Sequence, residues 1–164
     1  MSLLSGALET NAPAATILIR IVVGLVFFGE GVQKFLYPDE IGAGRFAKIP
    51  LPNPELTAAL IGAVEIACGL LIIAGFLTRF AAVPLIAIML TALITTKLPI
   101  LLGSEFMGFS LRKVSYYGIW GFLHESRTDL AMLFGSLFLL IVGGGRWSID
   151  SLISVNRLQN YQTK

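Results

Sequence analysis

Four apolar runs set the limits on what this chain can become. Residues 16–36, 56–77, 80–102 and 128–145 are dominated by Leu, Ile, Val, Ala, Phe and Gly, and a helix needs roughly twenty such residues to cross the hydrocarbon of a bilayer. The fourth run has its apolar body over 130–142 and ends in Gly143, Gly144 and Gly145. Inside lipid every backbone N–H and C=O must be satisfied within the protein, which for runs of this length means a helix. The pattern predicts an all-α chain, an integral membrane antiparallel four-helix bundle forming one domain over 1–164. Composition agrees: 55% of the 164 residues are hydrophobic and 13% charged, and the mean hydropathy of +0.81 exceeds what the core of a water-soluble domain needs. The lipid bilayer is the expected partner, and the length leaves no room for a separate soluble catalytic domain.

The connections are as informative as the spans. The stretch IPLPNP over 49–54 removes amide donors and favours extended backbone, so no helix continues through the loop 37–55. The second run turns at Thr78 and Arg79 directly into the third, so these two must pack together; Pro84 is expected in the first turn of the third span, with Lys97 and Pro99 near its far end. Segment 103–126 mixes Phe106, Phe109, Tyr116, Tyr117, Trp120 and Phe122 with Arg112, Lys113 and His124, a blend suited to the headgroup region and read as an interfacial cap. The end of the chain, 148–164, places Leu152, Ile153, Val155 and Leu158 among polar residues behind Ser148 and Asp150, the pattern of a short helix lying on the membrane. The first eleven residues lack a basic n-region, and no cleavage-like end follows the first run, which is expected to stay as a signal anchor.

Several function classes drop out. A formal charge of +2 with scattered bases offers no stripe for a phosphate backbone, so no nucleic acid partner is expected. Cys68 is the single cysteine, which excludes an internal disulfide, dithiol exchange and a cysteine-held metal cluster; His124 has no second histidine beside which to ligate a metal or haem. No metal is expected.

The ionisable residues within or beside the spans carry most of the functional information, because a charge near the bilayer centre costs at least about 2.5–3.5 kcal/mol and usually faces protein. Glu30 and Lys34 lie late in the first run, Lys97 late in the third, and His124, Glu125, Arg127 and Asp129 precede the fourth. Antiparallel threading brings them to one membrane face, with Glu65 deeper at mid-span, as a polar funnel with Glu65 near its floor. Ala58, Gly62, Glu65 and Gly69 recur at helical spacing, so Glu65 shares a face with small residues that permit close helix approach. Lys97, Lys34 and Arg127 are its candidate partners. Each charge also has a plainer reading: Glu30 and Lys34 neutralise each other at i,i+4, Lys97 snorkels to the interface, Arg127 and Asp129 border a helix start, and Glu65 is an interhelical hydrogen-bonding post.

Several stretches together resemble one family. They are Arg20-Ile21 through Gly24, Gly29-Glu30-Gly31 to Lys34-Phe35, Gly62-Ala63-Val64-Glu65 with Gly69, and Gly75-Phe76-Leu77-Thr78-Arg79. His124-Glu125-Ser126-Arg127-Thr128-Asp129 and Gly143-Gly144-Gly145-Arg146-Trp147-Ser148-Ile149-Asp150 complete the set. In order and spacing this resembles the DoxX family of small four-helix membrane proteins. The resemblance implies a multi-pass protein of the cell (inner) membrane with cytoplasmic termini, against a literal count of Lys and Arg, which favours the long-loop side as cytoplasmic (Lys34, Arg45, Lys48, Lys97, Arg112, Lys113 and Arg127 against Arg79, Arg146, Arg157, Lys164 and Arg20). It also implies a link to membrane oxidoreductase complexes and to quinone as the redox molecule, with membrane or redox proteins as partners. The chain has no haem-ligand pair, flavin motif or cysteine cluster, so an electron relay needs a bound quinone or a partner.

Three readings remain open. In the first, the chain is a membrane subunit of a quinone-linked oxidoreductase system, with Glu65, Glu30 and His124 handling protons and Lys34, Lys97, Arg127, Asp129 and Trp120 as ligand-binding candidates. In the second, the same charges bind or transport a small polar solute without catalysis. In the third, glycine-rich faces make it a structural or assembly subunit.

Overall fold

The computed structural model describes residues 12–48 and 52–162, with side chains as far as Val155. Residues 1–11, residues 49–51 of the proline-rich stretch, and the side chain of Leu158 lie outside the described residues. The described chain is helical, with one isolated bridge between Phe106 and Phe109 in place of any strand.

Helix α1 is Thr16–Leu36, α2 the single turn Ala43–Phe46, and α3 Pro54–Ala74. Pro54 fits the start of α3 because the first helical N–H has no partner to lose. The helix stops at Gly75, whose positive φ of 68° lets its N–H and that of Phe76 close on Ile72 and Leu71. A side chain there would also collide with the Arg20 guanidinium. The turn between the second and third spans is therefore Gly75 to Leu77, and Thr78 already belongs to the next helix, α4 (Thr78–Ala92). Pro84 consequently lies inside α4 and not in its first turn. A π-helical turn, Leu93–Lys97, and α5, Leu98–Leu102, continue it. After a long loop come α6, Ile119–Val142, and α7, Ile149–Gln162.

Three of these stretches, Thr16–Leu36, Pro54–Ala74 and Thr78–Leu102, are long and apolar enough to cross a membrane. Helix α6 is also long, at 24 residues, but carries Glu125, Arg127 and Asp129 in its first half. It begins at Ile119, well before the apolar run that signalled it, so Trp120, Phe122 and His124 sit on a helix and not in an irregular cap. It ends at Val142, with Gly143 at φ 79° breaking it, so 143–145 fall outside the helix.

Small residues set the α1–α3 contact. A Cβ on Gly69 would meet the Gly24 carbonyl at 2.8 Å, and one on Gly31 the Gly62 carbonyl at 2.6 Å. The pairing runs in opposite directions along the two helices, which are therefore antiparallel and close enough for backbone contact. Helix α4 packs on α6, and Phe27, Ile72, Ala81, Leu85, Met132 and Leu139 fill the space between the elements.

At the end holding the α3–α4 turn, two polar groups clasp the chain. Arg20, 2% exposed, donates to the carbonyls of Ile72, Ile73, Gly144 and Trp147. Those of Ile72 and Ile73 belong to the last turn of α3, where carbonyls lack helical partners and attract a cation. Asp150 accepts from the amides of Leu77 and Thr78 at 2.8 and 3.0 Å and from the Thr78 hydroxyl at 2.9 Å, capping α4. Ser148, as expected for the start of the last helix, accepts from the Ser151 amide.

Candidate functional site

At the opposite end the helices part around a cavity of about 470 Å³. Glu65 is eleven residues into α3, about 16 Å from its start at 1.5 Å per residue, and is 2% exposed. The glycine contacts of α3 with α1 bring Lys34 within reach, and its Nζ donates to Glu65 Oε2 at 2.6 Å. Of the three cations expected to reach Glu65, Lys34 is the one that does. Glu30 lies 4.0 Å from the same ammonium with its side chain 47% exposed, so the intrahelical pair is the weaker of the two.

Lys97 enters through an irregularity. Pro99 has no amide, and its ring crowds the carbonyl four residues back, so a regular α-turn is disfavoured there; the chain takes the wider π-turn over Leu93–Lys97. The Thr95 and Thr96 hydroxyls donate to the carbonyls of Thr91 and Ala92. Lys97 is thereby aimed inward. It does not snorkel: it is 7% exposed, donates to the Glu125 carbonyl at 2.7 Å and lies 3.3 Å from Asp129 Oδ2.

Each ammonium has three N–H donors. Lys34 uses two, on Glu65 and on the Glu30 carbonyl; Lys97 uses two, on the Glu125 carbonyl and Asp129. Counted this way, each ammonium keeps donor capacity for one more acceptor among the described residues, and both line the cavity along with Phe27, Met89 and Met132.

The structure thus brings together Glu30, Lys34, Glu65, Lys97 and Asp129 on one cavity. It does not bring His124, Trp120 or Arg127 there. On α6 the cavity takes Glu125, Thr128, Asp129 and Met132, while 120, 124 and 127, spaced i, i+4 and i+7, occupy the outward face. Trp120 is 74% exposed and, with His124, Tyr116, Tyr117 and Leu123, lines a shallow depression of its own. The Tyr116 and His124 rings meet edge to face, and Arg127 donates to the His124 carbonyl at 2.8 Å.

Two charged lining residues escaped sequence reasoning as site candidates, Arg45 and Arg112; Arg112 lies 3.8 Å from Glu125, which the sequence did place in the funnel. Arg45 sits on α2, which folds back over the end of α1 because Gly42 and Gly44 press against the backbone of Lys34, Pro38 and Asp39 with no space for a Cβ. That glycine pair was the available signal. For Arg112, in the long loop, spacing gave none.

Comparison with known proteins bears directly on these residues. The DoxX family model matches residues 15–98, which hold Glu30, Lys34, Glu65 and Lys97. A relative from Mycobacterium tuberculosis, "Uncharacterized membrane protein Rv3486", is 48% identical over 147 residues, covering 90% of this chain and 86% of the relative. This chain belongs to the DoxX family. It is a DoxX family membrane protein. A further relative, from Bacillus subtilis and named "Putative oxidoreductase CatD", is 34% identical over 138 residues, 84% of this chain and 86% of that one. No solved structure matches.

Proposed function

We propose that this DoxX family protein is a membrane subunit of a quinone-linked oxidoreductase system, built as an antiparallel four-helix bundle in the cell (inner) membrane with cytoplasmic termini. The observation that carries the reading is the make-up of the cavity: two buried ammonium groups with one N–H each to spare and a carboxyl, set among Phe27, Met89 and Met132. A quinone is flat, apolar over its faces and carries carbonyl oxygens at its edge. The residues present fit it on both counts, and about 470 Å³ falls within the roughly 300–1,000 Å³ of small-molecule sites.

When bound, a quinone supplies two-electron redox chemistry accompanied by uptake of two protons. The chain's own part follows from its geometry. Lys34 and Lys97 orient the carbonyl edge through their free N–H groups, and Phe27, Met89 and Met132 exclude water from the ring faces. Glu65, a carboxylate paired with Lys34 at rest, takes up and passes on a proton, and Glu30, one turn from Lys34 and half-exposed, exchanges protons with the surroundings. A redox partner protein supplies the electrons; the oxidoreductase name of the Bacillus relative supports the redox reading alone. Helix α6 serves as the fourth span because Asp129 and Glu125 face Lys97 and Arg112, which offsets much of the cost of carrying charge into the bilayer.

The test is gentle isolation from the native membrane, followed by lipid extraction and mass spectrometry. Stoichiometric quinone in the wild type, diminished in Glu65→Gln and Lys97→Met, is expected; protein that neither retains nor takes up quinone overturns the reading. One observation favours a second reading, binding or transport of a polar solute: a neighbouring cavity of about 460 Å³, lined by Glu40, Arg45, Lys48, Ser110 and Arg112, shares Arg45, Thr95, Thr96 and Arg112 with the first. Solute flux into proteoliposomes without bound quinone is its signature.

A further inference from the structure

The cavity breaks through the wall of the bundle. Helix α4 turns Ala81, Ala82 and Leu85 to the core and presents an exposed stripe of Phe80, Val83 and Leu90 on its opposite side, which Ile94 of the π-helical turn continues. Ala87 and Thr91, four residues apart, belong to that outward side and are themselves exposed. They nevertheless line the cavity, together with Ile88 behind them. A residue that is at once on the outer surface of a helix and on the wall of an internal cavity marks where the two meet.

The side on which they meet is set by α3. Its Gly62 and Gly69 face α1, whereas Ile61 and Cys68 lie on the adjoining flank, and Cys68 shares the buried core cluster with Ala81 and Leu85 of α4. Ile61 is half-buried and lines the cavity at the level of Ala87 and Thr91. The opening therefore lies between α3 and α4, framed by Ile61, Ala87, Ile88 and Thr91. Apart from the Thr91 hydroxyl, which is satisfied by the Ala87 carbonyl at 2.9 Å, its rim is apolar. The charged mouth near Arg45 and Arg112 is a separate exit.

We infer that the slit between α3 and α4 is a lateral portal through which an apolar chain passes into the bilayer, so that the ligand of this site is a membrane-soluble amphiphile with its polar ring at Lys34, Glu65 and Lys97 and its tail between Ile61 and Ala87. This rests on the quinone reading of the cavity and names the class of quinone it takes: long-tailed and delivered from the lipid phase. Ala87 is the residue that sets specificity for the tail, because only a small side chain at that point leaves the slit open. A ring-only molecule needs no portal and enters by the charged mouth.

The experiment uses the full chain in lipid nanodiscs and compares a tail-less benzoquinone with a decyl-tailed analogue of the same ring. Binding is read from equilibrium titration in wild type, Ala87→Phe, Thr91→Phe and the control Val83→Phe, which bears the same added ring on the same outer stripe but off the cavity. The tailed analogue is expected to bind Ala87→Phe and Thr91→Phe roughly 5- to 150-fold more weakly, the range that about 1–3 kcal/mol of overpacking corresponds to. The tail-less analogue should bind all four proteins alike, and Val83→Phe should match wild type for both. If the two analogues are weakened equally, or neither is, the portal is wrong and the quinone reading stands. If wild type binds neither analogue, both fall.

Discussion

The Glu65–Lys34 pair makes an asymmetric prediction. Lys34→Met strands a carboxylate that is 2% exposed and has Lys34 as its hydrogen-bonding partner among the described residues. Breaking a buried pair from one side costs about 3–5 kcal/mol. Glu65→Gln strands the ammonium much less, because Glu30 stands 4.0 Å away with its own carbonyl at 3.4 Å and inherits the partnership after a small rotation. That variant should lose only about 1–3 kcal/mol. Both values should fall toward the lower ends of their ranges, since helices separated within a bilayer keep their charges in lipid and find other partners. The double variant should cost less than the sum of the singles by roughly 2 kcal/mol.

The assay is reversible unfolding in mixed micelles of rising dodecyl sulfate fraction, followed by the fluorescence of Trp120 and Trp147. A second cycle on a Glu30→Gln background removes the reserve partner, and there Glu65→Gln should become as costly as Lys34→Met. Equal losses from the two single variants with Glu30 intact would refute the account, since they would mean that Glu30 offers Lys34 nothing. Coupling below about 0.5 kcal/mol would mean that the pair is not formed in the membrane.

Other consequences are open to the same unfolding assay. Asp150→Ala removes three hydrogen bonds from the start of α4 and should cost about 2 kcal/mol, with Thr78→Val, which loses only the hydroxyl bond, costing about 1 kcal/mol. Gly69→Ile places atoms where the Gly24 carbonyl and Phe28 amide stand 2.8 and 2.9 Å from a Cβ, so α1 and α3 must separate at roughly 1–3 kcal/mol. Gly29→Ala has its nearest neighbour 4.0 Å away and should be neutral or slightly stabilising, because alanine favours a helix interior. Pro99→Ala lets the turn around Lys97 regularise, so quinone retention measured by mass spectrometry should fall while the unfolding midpoint holds.

The extent to which this structure was legible in the sequence follows from the range of each interaction. Helix α1 falls on its apolar run, 16–36, because such a run is a local signal, whereas α3 starts two residues before and ends three residues before the run 56–77, since apolarity continues past the Gly75 stop. The small face of α3 was legible for the same reason: Ala58, Gly62, Glu65 and Gly69 share one side by helical arithmetic, and all four are buried. The start of α6 was misread because apolarity was taken as its boundary. Glu125 and Asp129 are polar yet helical, and what lets them be so is Lys97 and Arg112, distant in sequence. The same distance hid the choice between Glu30 and Glu65 as the partner of Lys34, and the inward turn of Lys97, since spacing along one helix cannot say what the neighbouring helix offers.

The two ends of the protein treat polar groups in opposite ways, and that difference locates function. At the Arg20 end, four hydrogen bonds to carbonyls occupy a guanidinium that has five N–H groups, and both Asp150 oxygens are engaged by α4. These bonds run to the end of α3, the start of α4 and the segment 144–147, so Arg20 and Asp150 hold helices together. At the Lys34 and Lys97 end, short contacts of 2.6 Å to Glu65 and 2.7 Å to the Glu125 carbonyl stand beside longer ones of 3.3 Å to Asp129 and 4.0 Å to Glu30, and both ammonium groups line the cavity. Burying charge without completing its hydrogen bonds is costly in a fold. Around the cavity that cost leaves donor capacity at Lys34 and Lys97, and the carbonyl oxygens of the proposed quinone are suited to take it up.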